Sequence, residues 1–175
     1  MDFQTGLPLS VQGFKGSCSL LDDYSGWGKM TPVTDLTAGT ALVCLKEFVA
    51  DLSKLASAPV LLVEVLADNV PFNSDEFKAG LREWPTGPAR ATNTASNEHR
   101  QAGRVKRFHG ARMATANVLL NYARLPRTWW PFATNAANMQ ANMLPNSHNS
   151  KQTPHELVSG QKPSWEGMHV FGTAA

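Results

Sequence analysis

One short run of apolar residues limits the fold more than any other feature of this chain. Residues 60–67 read Val-Leu-Leu-Val-Glu-Val-Leu-Ala, and Asp68 follows directly. A β-branched, apolar run that stops at a carboxylate is typical of a buried strand that delivers an acid to the rim of a sheet. A second acid, Asp2, stands near the start of the chain before a Gly-Leu-Pro turn. We expect these two acids to belong to one site.

The periodicity of the remaining residues predicts an α/β domain. Residues 17–21 and 27–33 are short β-like runs joined by a turn-rich linker, which predicts a hairpin. Residues 85–102 predict a long loop, and residues 168–171 predict a last short strand. Apolar spacing and capping residues predict four helices, which run from Asp35 or Thr37 to Pro59, after Ser74, over 103–123 and over 128–144. This order of elements indicates a layered α/β domain with a mixed sheet, in which the hairpin is antiparallel.

Composition excludes several classes of protein. A chain of 175 residues with 42% hydrophobic and 17% charged residues is typical of one globular domain. No apolar run reaches the length of a membrane span, and the first residues lack a signal pattern, so we predict no membrane partner. Cys18 and Cys44 are far apart and have no CxxC partner. They are typical of buried thiols in a reducing, intracellular compartment, and a zinc site is not expected.

The small net charge of +2 hides an asymmetry along the chain. The segment from Arg82 to Arg127 holds nine Lys or Arg and two acids, which gives it a net charge of +7 and leaves −5 for the remainder. A localised basic segment in a nearly neutral domain indicates a surface that faces a polyanion. A solvated helix face is the alternative interpretation.

Short motifs stand in a fixed order along almost the whole chain. They are Asp2 with Gly6 and Pro8; Leu21-Asp22-Asp23-Tyr24-Ser25; Ala67-Asp68-Asn69 with Phe72 and Glu76-Phe77; Gln101-Ala102-Gly103 with Arg107; Leu125-Pro126 with Trp130; Thr153-Pro154-His155-Glu156-Leu157; Gly160; Lys162-Pro163; and Val170-Phe171-Gly172. This ordered set resembles the integrase core of copia-type retrotransposons, which are transposable elements. The resemblance implies a ribonuclease H-like α/β fold, a three-layer domain whose mixed central sheet is flanked by helices.

The resemblance also implies a metal-dependent reaction on DNA. Three carboxylates of that family hold two divalent cations, Mg²⁺ or Mn²⁺, for 3′-end processing and strand transfer. Asp2 aligns with the first acid and Asp68 with the second. The third is a Glu three positions after a Gln-Asn-Gly element, and here Lys106 stands at that position. We therefore expect impaired catalysis. The alternative is an active enzyme in which Glu98, in the predicted loop, substitutes for the third acid.

The resemblance implies duplex DNA as the partner, both element ends and target, and a nuclear location. The residues expected to face DNA are Arg100, Arg104, Lys106, Arg107 and Arg112. Trp129, Trp130 and Phe132 are expected to be core residues in preference to base-stacking platforms. A homo-oligomer is left open, and a non-enzymatic interaction module without a DNA role is the remaining alternative.

Two further features depart from the family pattern. Asn69 is followed by Val70 and Pro71 where the family has a pair of glycines, which changes the turn beside the predicted metal site. The family's first strand begins upstream of its first Asp, and a zinc-binding module precedes it. We therefore expect this chain to be a fragment or a decayed copy, with a core over residues 1–144 and a C-terminal extension of that core over residues 145–175.

Overall fold

The computed structural model describes residues 1–67, 70–93, 99–145, 151–166 and 168–173. Five strands and six α-helices occur in these residues, with one 3-10 helix between the fourth and fifth α-helices. In chain order they are β1 (Asp2–Gln4), β2 (Gly16–Leu21), β3 (Gly28–Val33), α1 (Ala38–Ala56), β4 (Glu64–Ala67), α2 (Val70–Asn73), α3 (Asp75–Arg82), β5 (Arg90–Asn93), α4 (His99–Tyr122), the 3-10 helix (Arg127–Trp129), α5 (Trp130–Met143) and α6 (Pro154–Ser159).

The first three strands form an antiparallel sheet in the order β1-β2-β3. Asp2 pairs with Ser19 and Leu21 pairs with Gly28, so β2 is the central strand. The predicted hairpin is therefore confirmed. Its turn is closed by Asp22, whose carboxylate accepts hydrogen bonds from the backbone nitrogen of Ser25 at 2.8 Å and its hydroxyl at 2.6 Å.

Strands β4 and β5 are parallel and form a second ladder, so antiparallel and parallel pairing both occur, although the described strands are divided between two sheets. The two ladders adjoin at Met1, whose backbone nitrogen donates a hydrogen bond to the carbonyl oxygen of Leu66 at 2.8 Å. The predicted strand over 60–66 is wrong in extent, because residues 60–63 have no strand pairing. The loop predicted over 85–102 also contains β5 and the first turn of α4. Strand β5 is polar, so no run of apolar residues predicts it.

One face of the antiparallel sheet carries the larger apolar core. Helix α1 begins where the hydroxyl of Thr37 accepts a hydrogen bond from the Thr40 nitrogen, as the sequence predicted. It ends at Ser57, which adopts the left-handed conformation. Helix α3 begins at Ser74 in the same way, again as predicted. The buried residues of this core include Cys18, Leu20, Ala41, Leu45, Phe48, Leu52, Phe77 and Leu81.

The opposite face of the sheet packs on α4 and α5. Successive residues of a strand point to opposite faces, so Ser17 and Ser19 lie on the side away from Cys18 and Leu20. Both serines are fully buried. Because these side chains are small, α4 can lie close to the sheet, and the hydroxyl of Ser19 is hydrogen-bonded to the Nδ1 atom of His109 at 2.9 Å.

Helix α5 holds the free edge strand of this sheet. The side-chain amide of Asn142 donates to the carbonyl of Gly28 at 2.9 Å and accepts from its nitrogen at 3.0 Å. Trp130, at the start of α5, is buried, and its indole nitrogen donates to the carbonyl of Pro8 at 2.9 Å. The expectation that Trp129 and Phe132 are also core residues is wrong, since both are exposed.

The C-terminal residues return to the helices of the core. Helix α6 begins at Thr153, and Phe171 packs against the buried cluster formed by α4 and α5. The predicted strand over 168–171 is wrong, because these residues form no ladder with any described strand. The predicted division at residue 144 stays a prediction. None of the described helices combines the length and the apolar character that crossing a membrane requires.

Candidate functional site

Strand β1 places Asp2 at the junction of the two ladders. On one side Asp2 pairs with Ser19 of β2. On the other side the nitrogen of the preceding residue, Met1, is bonded to Leu66 of β4. Met1 is buried and Asp2 is half-buried, so this stretch is not a frayed terminus. The first of the predicted acids therefore stands at the rim of the sheet, beside the strand that leads to the second.

Three of the predicted site residues cannot be placed. Asp68 follows the end of β4 directly, and both Asp68 and Glu98 lie outside the described residues. Arg100 is in the first turn of α4, but its side chain also lies outside them. The proximity of the Asp2 and Asp68 carboxylates and the role of Glu98 stay predictions.

Lys106, on helix α4, lies in the same region of the molecule as Asp2 on strand β1. It is an exposed residue on α4, and it lines two cavities that Asp2 also lines. The larger cavity has a volume of about 490 Å³ and extends from Asp2 along β4 towards α1. The smaller has a volume of about 320 Å³ and lies between β1 and α4. The structure thus brings the predicted first acid and the lysine at the predicted third-acid position into one site.

The adjacent acids of the hairpin also line the larger cavity, but both serve the local structure. Asp22 closes the turn through its two bonds to Ser25. Asp23 forms an ion pair with Arg104, which also donates to the Asp23 carbonyl at 3.1 Å. Arg104 therefore ties α4 to the hairpin, and its charge is partly neutralised within the molecule.

His109 is a part of the site that sequence reasoning did not identify. It lines the smaller cavity together with Asp2 and Lys106. Its Nδ1 atom bonds to Ser19, while its Nε2 atom is buried and has no hydrogen-bond partner among the described residues. Burial lowers the pKa of His109 below its ordinary value of about 6.5, so the ring is neutral at pH 7. The sequence could have indicated this residue, because His109 follows Lys106 by three positions and such a pair shares one face of a helix.

The remaining predicted DNA-facing residues have different surroundings. Arg107 is exposed. Arg112 is half-buried, and its guanidinium lies 4.7 Å from the centre of the Phe108 ring. Burial lowers the pKa of Arg112 to about 10, so this side chain keeps its charge at neutral pH. Of the described predicted set, Lys106 and Arg107 are therefore the most accessible to a ligand.

Of the two predicted metal ligands, the structure describes Asp2 but not Asp68. A site for two divalent cations requires several carboxylate oxygens that converge on one point. No group of three His, Cys, Asp or Glu side chains in the described part of the chain is arranged to hold a metal ion. Lys106 of α4 lines the same cavities as Asp2, and the hairpin acids are engaged with Ser25 and Arg104.

Comparison with known sequences identifies the relatives of this chain. It is 35% identical over 77 residues to the retrovirus-related Pol polyprotein from transposon RE2 of Arabidopsis thaliana, a match that covers 44% of this chain and 5% of the relative. The corresponding polyprotein from transposon RE1 of the same plant is 32% identical over 72 residues, again with 5% of its length covered. The chain is a homologue of retrotransposon Pol polyproteins. It spans only a small part of their length, and no model of a protein family matches it.

Solved structures show the fold of this integrase-like core. The HTLV-2 integrase catalytic core domain, determined in complex with magnesium, superposes with a TM-score of 0.61 at 19% identity and covers 90% of this chain and 95% of that one. The catalytic core domain of BIV integrase gives a TM-score of 0.62 at 13% identity, covering 90% and 92%. A simian T-cell lymphotropic virus intasome chain gives 0.69 at 16% identity, covering 99% and 64%. The predicted ribonuclease H-like fold is confirmed.

Proposed function

We propose that this integrase-like core binds duplex DNA and does not catalyse strand transfer. The observation that carries the proposal is the position of Lys106, which lines both cavities together with Asp2. The family resemblance expects a carboxylate at this position of α4. A cation in its place attracts phosphate, which a carboxylate would repel, and repels a metal ion, which a carboxylate would attract.

Simple electrostatics supports the loss of metal affinity. At about 4 Å and an effective dielectric constant near 20, two unit charges interact by roughly 4 kcal/mol. Exchanging a carboxylate for an ammonium removes an attraction of this order to a nearby cation and adds a repulsion. A Mg²⁺ or Mn²⁺ ion would still have Asp2 and Asp68 as ligands, which we propose as the remaining metal-binding residues, but its affinity would be much reduced. Metals of this kind supply charge neutralisation and activation of an attacking oxygen, and an ammonium does not replace the second of these.

The accessible cations support the DNA-binding half of the proposal. Lys106 and Arg107 are both exposed on α4, where a phosphate backbone can approach them, and Lys106 lines the cavities at the rim of the sheet. Arg104 and Arg112 contribute less, because one is paired with Asp23 and the other is half-buried over Phe108. We propose that the copia-type origin and the nuclear location implied by the resemblance also apply to this chain.

Two measurements on the purified chain test this function. Fluorescence anisotropy with a labelled duplex should show binding without sequence preference that weakens steeply with salt, because phosphate neutralisation releases counterions. A strand-transfer assay with Mn²⁺ and pre-processed element ends should show no joined product. Salt-independent binding, or no binding at low salt, would support an interaction module without a DNA role. Joined product that disappears in both Asp68→Asn and Glu98→Gln would support catalysis with Glu98 as the third acid.

A further inference from the structure

A long segment of this chain contains no acidic residue. Between Glu98 and Glu156 there is no Asp or Glu, and the segment holds eight Lys or Arg. It includes α4, the 3-10 helix and α5, which together cover one face of the sheet. The candidate site uses only the first half of α4. Basic residues of the segment also lie beyond that site, at Arg112, Arg124 and Arg127, and Tyr122 ends α4 about 24 Å from Lys106 at a rise of 1.5 Å per residue.

Two exposed aromatic rings lie in the segment that follows α4. Trp129 is 37% exposed and Phe132 is 41% exposed, and their ring centres are 5.3 Å apart with an interplanar angle of 37°. Trp130 between them is 2% exposed and fills the core, so the core does not require its neighbours. Large aromatic side chains are expensive to leave in water, and two of them in contact on a surface indicate a ligand.

Two arginines lie close to the aromatic pair in the sequence. Arg124 lies in the turn after α4 in the left-handed conformation, with a φ of 53°, and Arg127 begins the 3-10 helix. Both arginines are exposed, and neither forms an ion pair within the described part of the chain. Their charges are therefore available to an external anion.

We propose that Trp129 and Phe132 form a stacking platform for unpaired bases and that Arg124 and Arg127 neutralise the adjoining phosphates. A flat apolar ligand suits the rings, and a polyanion suits exposed arginines in a segment without acidic residues. Single-stranded nucleic acid satisfies both, because every base presents a π-face that an aromatic side chain can cover. In a duplex those faces are stacked on one another. The platform is thus a second site, separate from the duplex-binding surface at Lys106 and Arg107 and independent of it.

The platform is tested with a labelled oligothymidine in fluorescence anisotropy. Replacing both rings in Trp129→Ala/Phe132→Ala should raise Kd at least about tenfold, since stacking on one aromatic side chain accounts for roughly a factor of ten. Trp129→Phe should retain most of the affinity. Tyr24→Ala is the matched control, because Tyr24 is 79% exposed but lies in the hairpin next to Asp22 and Asp23, and this variant should bind normally.

The cations and the type of strand are tested in the same assay. Each of Arg124→Ala and Arg127→Ala should lower the slope of log affinity against log salt by about 0.7, the value for one phosphate contact on a single strand. Oligouridine in place of oligothymidine shows whether the natural ligand is RNA or DNA, because the tighter of the two identifies it.

Parallel measurements with a duplex separate this proposal from the proposed function. Arg107→Ala should weaken duplex binding, whereas Trp129→Ala/Phe132→Ala should leave it unchanged. The platform is disproved if the double variant, folded by circular dichroism, binds oligothymidine and oligouridine as tightly as the unmodified chain. It is equally disproved if the unmodified chain binds neither oligonucleotide at low salt, whatever its affinity for the duplex.

Discussion

Asp2 and Lys106 line the same two cavities, the first from strand β1 and the second from helix α4. The sheet holds Asp2 in place through its pairing with Ser19, and the same serine is bonded to His109 one turn beyond Lys106. At the position where the resemblance expects a third acid, α4 thus carries a cation beside the cavities that Asp2 lines. Every prediction about chemistry at this site depends on that exchange.

Lys106→Glu should restore binding of a divalent cation. The new carboxylate replaces a repulsion by an attraction, so millimolar Mn²⁺ should raise the Tm of the variant and leave that of the unmodified chain unchanged. Differential scanning fluorimetry with and without Mn²⁺ measures the shift. Lys46→Glu is the control, because Lys46 is exposed on α1 and lines neither cavity, and this variant should show no shift. An equal Mn²⁺ shift in both variants would mean non-specific binding to added charge.

Arg107 and Arg104 should differ in their effect on duplex binding. Arg107→Ala should lower the slope of log affinity against log salt by about 0.9, the value for one lost contact with duplex phosphate. Arg104→Ala should change that slope less, because Arg104 is paired with Asp23, and the loss of this exposed pair should cost less than about 1 kcal/mol of stability. Anisotropy titrations over a range of salt concentrations compare the two. Equal slopes for both variants would contradict this division of roles.

Gly28 should not tolerate a side chain. A Cβ atom at this position would lie 2.2 Å from the Phe108 ring, which is buried, so Gly28→Ala should reduce the free energy of unfolding by about 1–3 kcal/mol. Gly110→Ala is the matched control within α4, where a Cβ atom meets no neighbour, and it should raise stability by roughly 0.5–1 kcal/mol. Urea denaturation measures both changes. A destabilised Gly110→Ala together with an unchanged Gly28→Ala would show that the packing of α4 on β3 is wrong.

His109 should make the fold sensitive to mild acid. Its pKa is lowered in the folded protein by burial, so the unfolded chain binds more protons between the folded pKa and about 6.5. The stability contributed by the neutral ring is complete above about pH 6.5 and is lost as pH falls towards the folded pKa. Urea denaturation at a series of pH values should show this decline, and His109→Gln should reduce it. An identical decline in the variant would assign it to other groups.

Elements with a strong local signal could be predicted from the sequence. Thr37 and Ser74 cap their helices as expected, and the apolar stripe of α1 faces the core. Strand β5 could not be predicted in the same way, because Arg-Ala-Thr-Asn has no apolar pattern and is held by backbone bonds to β4. Residues 168–171 show the converse case. Their sequence predicts a strand, but Phe171 packs on a helical cluster and does not join a sheet.

The site was predictable only where chain order determines it. Lys106 was singled out by its distance from a short motif, and the structure shows that it lines the same cavity as Asp2. The pairing of Arg104 with Asp23 and the bond of His109 to Ser19 join residues about 80 to 90 positions apart. No local pattern in the sequence predicts contacts between residues so far apart. The exposure of Trp129 next to the buried Trp130 likewise depends on how α5 meets the sheet.

The most direct test of the central claim is a strand-transfer assay with the unmodified chain, pre-processed element ends, a target plasmid and Mn²⁺. The proposed loss of the third acid predicts that the chain binds the DNA ends but produces no joined strand, at any Mn²⁺ concentration that leaves the DNA soluble. Asp68→Asn serves as the background control. Mn²⁺-dependent joining by the unmodified chain that is absent from Asp68→Asn would contradict the claim, because it would require a working metal site with Lys106 in place.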